Sequence, residues 1–285
     1  MSAGVVGMTP AWLRGVVLGF AALSAAACSS STSSVSPTPP GTSGSPTAAG
    51  ASASPQLIGT TRTVISPLGL VMHTEPVLSS SNHVGTLAQG ASVSVLDYQA
   101  QGGGWFKVMG QTTTGWIVAD PTLTAQGNYT GFPSDAFDAL YPEGWTFRAE
   151  SPTVVRFVPV QQGQQSIVVA TAATTSAFPN VGQTGYTSTF SQDVVPCGYT
   201  GSLVKYTKGN VAAPVSPGPL VPTTQLYADI RLRFDSTHAM LIAFNYQSED
   251  QFSVFEVFYN AISYPYPQCR LGAAPPGSSA TPSPT

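Results

Sequence analysis

The chain has 285 residues, of which 8% are charged, and its formal net charge is −3. Its ten Lys and Arg form no run or stripe, so it lacks the basic footprint with which a nucleic-acid binder neutralises phosphates. Acidic runs are missing too, and a polar surface built mostly from Ser, Thr, Gln and Asn suits an exported protein.

The chain opens with MSAGVVGMTPAWLRGVVLGFAALSAAAC, where Arg14 supplies a positive charge ahead of an apolar and small-residue run from Gly15 to Ala27. This is the layout of a secretory signal, and it is too short to span a bilayer comfortably. Its end, Ala25-Ala26-Ala27-Cys28, resembles the lipobox of bacterial lipoproteins, with Ala25 where Leu is usual and Leu23 two residues early. The resemblance implies that residues 1–28 are a lipoprotein signal, that Cys28 is acylated, for instance with palmitate, and that the mature chain is exported and lipid-anchored to the outer face of the cell membrane. The other reading is cleavage after a small residue by the ordinary signal peptidase, with Cys28 incidental. Cysteine arithmetic favours the first. If Cys28 carries lipid, Cys197 and Cys269 remain as an even pair for a disulfide in an oxidising compartment.

Residues 29–55 are nearly all Ser, Thr, Pro, Gly and Ala, and residues 273–285 repeat that composition. Neither stretch has the apolar side chains to offset the entropy of ordering, so both are expected to be disordered. The first would act as a tether reaching about 30 Å.

Between residues 56 and 125 the chain carries short β-branched and aromatic runs punctuated by Gly and Pro. Val64-Ile65, Leu70–Met72, His83–Leu87, Ser92–Leu96, Trp105–Val108 and Gly115–Val118 are the candidate strands. Several short strands at close intervals indicate a small barrel or sandwich. The order GLVMHTEPV, HVGTLAQGASVSVLD and GGGWFKVMGQTTTGWIVAD resembles a bacterial SH3 (SH3b) domain, with His73 where Arg is frequent and Val71 where Asn is frequent. The resemblance implies an all-β SH3-like small barrel that attaches to the cell wall. It would place a wall-peptide groove along exposed parts of His73, Glu75, Tyr98 and Trp105. The competing reading makes Trp105 and Trp116 scaffold, because a Trp on a small barrel buries most of its ring.

Residues 126–272 have a different character. TFRAE, VVRFVPV, SIVVATAA, DIRLRF and AMLIAFNYQ are longer candidate strands, and Ile230, Leu232 and Phe234 alternate with arginines as in an antiparallel strand with one wet face. Ser248 followed by Gln251 forms a capping-box pattern, and Phe252, Phe255, Tyr259 and Ile262 follow at helical spacing. The expectation is an α+β domain, an antiparallel sheet with packing helices. Its Tyr-Pro-x-Gly-Trp turn and terminal helix resemble the PsbP-like fold, which implies architecture only. A Cys197–Cys269 disulfide would pin the Pro-rich segment 196–222 to the end of this domain. The other possibility is two unpaired thiols.

No constellation points to catalysis. There is no Gly-x-Ser-x-Gly elbow, no H-E-x-x-H, no phosphate-cradling glycine loop and no uncommitted Cys nucleophile. His238 with Asp235 suits a turn in which Asp caps the backbone. Asp135, Asp138, Glu143 and Glu150 leave a glycosidase-like carboxylate pair open. No cofactor or metal is expected. The leading expectation is a membrane-anchored extracytoplasmic lipoprotein whose SH3-like unit binds peptidoglycan and whose α+β unit is a binding module. A wall hydrolase with its site in 126–272, and a structural spacer or subunit with an envelope protein partner, are the alternatives.

Overall fold

From the first described residues onward β-branched and aromatic residues favour strands, and frequent Gly and Pro place turns between them. The computed structural model describes residues 57–161, 163–209, 220–266 and 269, all within one compact unit. Cys28, the signal-like segment 1–28, the tether 29–55 and the tail 273–285 lie outside the described residues.

The first sheet has seven strands: β1 (Thr61–Val64), β2 (Leu70–His73), β3 (His83–Leu87), β4 (Ser92–Gln99), β5 (Trp105–Met109), β6 (Thr114–Val118) and β7 (Thr124–Gln126). They pair antiparallel in the order β3-β2-β6-β5-β4-β1-β7. Alternation puts Val93 and Val95 of β4 in a core with Leu70, Phe106, Val108 and Ile117. Gly104, at φ +95°, makes the left-handed bend into β5, and a side chain there would come within 3.2 Å of the Tyr98 hydroxyl.

A two-stranded ribbon follows, β8 (Tyr129–Phe132) with β9 (Ala139–Pro142). The second sheet then comprises β10 (Trp145–Ser151), β11 (Val154–Pro159), β12 (Ser166–Ala172), β13 (Tyr186–Val194), β14 (Gly201–Lys208), β15 (Leu226–Arg233) and β16 (Ala239–Tyr246). Its order is β10-β11-β12-β16-β15-β14-β13, all antiparallel. One α-helix follows, α1 (Phe252–Ala261), after a short 3-10 turn at Glu249–Gln251.

The two faces of the second sheet are covered differently. Ile230, Leu232, Ile242 and Phe244 meet α1 and the ribbon through Phe255, Phe258 and Phe132. Phe255 and Phe258 are fully buried, and each such side chain contributes about 1.5–3 kcal/mol. On the other face Val168, Ala170, Tyr227 and Leu241 pack with Phe178 and Val181 of the β12–β13 connection and with Tyr186, the first residue of β13.

This architecture corrects the expected fold class. An SH3-like small barrel beside a separate α+β domain with packing helices is not what forms. The described residues are mostly β, in sheets of seven, two and seven strands. Thr124–Gln126, which falls across the expected domain boundary, instead pairs with β1 as a seventh strand. The first sheet's row ends at β3 and β7, with no pairing between them among the described residues. Ile65, Ala125, Leu140 and Ala261 also share one core, so the first sheet, the ribbon and α1 are packed together. Gln89 reinforces the join, its side-chain amide donating to the Ile65 carbonyl (3.2 Å) and the Ala261 carbonyl (2.5 Å). The capping box is also displaced. Ser248 makes no side-chain cap, whereas Gln251 Oε1 accepts from the Gln247 backbone N–H at 2.9 Å.

Candidate functional site

The residues of the sequence-based groove do not converge. Trp105 is 2% exposed, and its ring meets His73 edge-on at 5.5 Å. His73 is buried too, and its Nδ1 donates to Asn82 Oδ1 at 2.7 Å. Tyr98 pairs across the strands with Phe106, while Trp105 pairs with Gln99. Consecutive strand residues point to opposite faces, so Tyr98 and Trp105 lie on opposite sides of the sheet. Glu75 is exposed, in the connection after β2. The structure therefore brings His73 and Trp105 together, links the Glu75 carbonyl to His73 through the Asn82 side chain (3.4 Å), and leaves Tyr98 on the other side of the sheet.

Cys197 and Cys269 are joined, with Cα atoms 4.9 Å apart across 72 residues of chain. Cys197 is the one non-glycine residue among the described residues with positive φ, at 46°. Of the acidic residues of 135–150, Glu143 and Glu150 are engaged by neighbouring side chains. Glu150 is held by Arg156 at 2.6 Å and Arg148 at 3.0 Å, while Glu143 accepts from Asn128 at 3.0 Å. The hydrogen bonds from Arg156 hold Glu150 below the ordinary carboxylate range. His238 stands in the β15–β16 turn. Asp235 Oδ1 accepts from the Thr237 N–H (2.6 Å), and Oδ2 accepts from His238 Nδ1 (2.8 Å). The Thr237 backbone bond first, and then His238, hold the Asp235 carboxyl at about 2. Among the described residues no group of three or more His, Cys, Asp or Glu could hold a metal ion.

A different place gathers unspent chemistry. One wall of an open cleft of about 400 Å³ comes from β1, β7 and Tyr129, and the other comes from α1. Arg62 stands on the β1 side. It lies opposite Val93 on one side and Gln126 on the other, at the rim of the first-sheet core, and lines the cleft together with Gln126, while Thr63 points to the other face and donates to the Gly127 carbonyl at 2.7 Å. The Arg62 Nε donates to Thr124 Oγ1 (3.1 Å) and its Nη2 to the Thr124 carbonyl (3.3 Å). The guanidinium also lies 4.6 Å from the Phe106 ring centroid. These contacts use part of the five-donor fork and hold it in place. Among the described residues no carboxylate is paired with Arg62.

Burial pulls the Arg62 guanidinium below its ordinary value, and burial pushes the neighbouring Tyr129 phenol up. Glu256, on the α1 side, is exposed and also lacks an ion pair among the described residues. Burial first, and then the Glu256 charge, push the Tyr259 phenol to about 12. Gln126, Thr122 and Asn260 add neutral polar groups. Such an arrangement can bind a polar ligand that brings its own anion. Sequence reasoning missed it because the two walls are some 190 residues apart in the chain, from Arg62 to Glu256.

A buried Asp–Arg pair was also missed. Asp229 is 1% exposed on β15 and pairs with Arg231 at 3.1 Å. Arg231 donates in turn to the Pro179 carbonyl at 2.6 Å, which ties down the β12–β13 connection. Burial raises the Asp229 carboxyl above its ordinary value.

No protein-family model matches the chain, and no curated protein matches it. Among solved structures it is similar to the solution structure of cyanobacterial PsbP (CyanoP) from Synechocystis sp. PCC 6803. The identity is 14%, over 48% of this chain and 92% of that one, with a TM-score of 0.32. A likeness of that size carries no argument about function.

Proposed function

We propose that the chain is an exported, lipid-anchored protein that holds peptidoglycan-derived material in the cleft between β1–β7 and α1. The lipobox-like Ala25–Cys28 and the Ser/Pro-rich stretch after it support the anchor and the tether. The observation that carries the binding reading is Arg62, a half-buried guanidinium fixed by Thr124 and left without a carboxylate. A preorganised cation with free donors is suited to an anionic group brought by a ligand. Peptidoglycan offers carboxylates and amides together. The site lies between the first sheet and the helix, and the groove expected around Trp105 is no part of this reading.

Two measurements test it. Labelled palmitate should enter the exported wild-type chain and not Cys28→Ser, and equal labelling would overturn the anchor. The full chain in detergent should sediment with insoluble cell wall, and Arg62→Gln should lose most of that sedimentation at unchanged circular dichroism. Sedimentation of wild type and variant alike would remove the cleft from the account.

A further inference from the structure

The lining of the cleft goes further than "polar". It carries one cation, Arg62 from β1, and one anion, Glu256 from α1, and neither is spent on an ion pair among the described residues. The other polar side chains of the lining, the Thr, Ser, Gln, Asn and Tyr groups, are neutral at pH 7. A polyanion such as a phosphate chain would meet a single guanidinium and a repelling carboxylate. A neutral sugar would leave both charges without a partner. A ligand with one carboxylate and one ammonium satisfies both walls. Ala125, Val254 and Val257 line the space between and offer contact to small apolar side chains.

From this charge arrangement we infer that the cleft binds a zwitterionic short peptide, its carboxylate on Arg62 and its free amine on Glu256. The inference rests on the peptidoglycan reading and narrows it to a stem-peptide fragment with unblocked ends. The two contacts are unequal. Arg62 is half-buried and held in a fixed orientation, so its charge-assisted bonds to a carboxylate dominate affinity. Glu256 is exposed, so its pair with an amine is screened and adds little affinity. The helix face would therefore set orientation more than strength.

The test is calorimetric titration of the full chain in detergent with D-alanyl-D-alanine, its C-terminal amide, its N-acetyl derivative and inorganic phosphate. The free dipeptide is expected to bind saturably. Amidation should weaken binding about tenfold or more, and N-acetylation about two- to threefold. Arg62→Gln should erase the difference between acid and amide, and Glu256→Gln the difference between amine and acetamide. Should Arg62→Gln fail to fold, Arg62→Lys keeps the charge, and Glu256→Gln changes only an exposed residue. Equal binding of the free and blocked dipeptides, no saturable binding at millimolar concentration, or tighter binding of phosphate would each overturn the inference. Wall sedimentation by a protein that ignores the dipeptide overturns this inference and leaves the wall reading standing. Dipeptide binding without wall sedimentation supports the inference and overturns the wall reading.

Discussion

Two parts of the first sheet make opposite use of their side chains. Around Trp105 the conspicuous residues are used up in packing, with the indole buried, His73 set edge-on against it and His73 itself hydrogen-bonded to Asn82. Around Arg62 an inconspicuous residue stands at an open cleft with donors to spare. A large aromatic ring gains most from leaving water, so a sheet of this size spends it on stability. A guanidinium pinned by a neighbouring Thr and left without an acid contributes less to stability and is available to a ligand. The residue type that draws the eye in a sequence is here the one that packing uses up.

That contrast can be broken or sharpened by four measurements. Trp105→Ala should have the largest effect, lowering unfolding free energy by about 3–5 kcal/mol in a urea titration. A loss below about 1 kcal/mol would mean that the Trp105 region is not the closed one. Replacing Cys197 and Cys269 together by Ala should cost about 4 kcal/mol, because their bond closes a loop of 72 residues. It should leave dipeptide affinity unchanged at low temperature, which separates lost stability from lost binding. Arg62→Gln should behave the other way, with a stability change of about 1 kcal/mol or less and binding largely gone. The smallest effect concerns acid. Asp235 has a folded pKa of about 2, below its unfolded value, so its ionised form stabilises the fold. That contribution is present above about pH 4 and disappears as the pH falls through about 2. The wild type should then lose more stability than Asp235→Asn between those pH values, and parallel curves would show that the turn contributes nothing.

What the sequence made legible follows burial. β11, β12, β15, β16 and α1 carry apolar residues at strand or helix spacing because one of their faces meets the large core, so their positions could be read. β13 could not, because seven of its nine residues are exposed at the sheet edge and Thr, Ser and Gln show no alternation. The fold class misread the join. Ala125 and Ala261 are small, and nothing in their local sequence says that they share a core with Ile65 and Leu140. The Arg62 cleft was illegible for the same reason as that join, since it exists only once α1 packs beside the end of the first sheet. The Trp105 groove rested on strand motifs whose order says little about which faces their side chains take. Pairing register supplied that, setting Tyr98 opposite Phe106 and Trp105 opposite Gln99.

The Gln89 amide has a thermodynamic meaning beyond its geometry. It bonds to carbonyls at Ile65 and Ala261, 172 residues of chain from itself in the second case. Melting either partner would break those bonds and open the shared core of Ile65, Ala125, Leu140 and Ala261, so the two regions are expected to lose their order together. Calorimetry of the full chain should give one endotherm, with equal van't Hoff and calorimetric enthalpies, where independent modules would give two. Any ligand that spans Arg62 and Glu256 would then act as a cross-brace on the entire fold and raise that single melting temperature with its concentration.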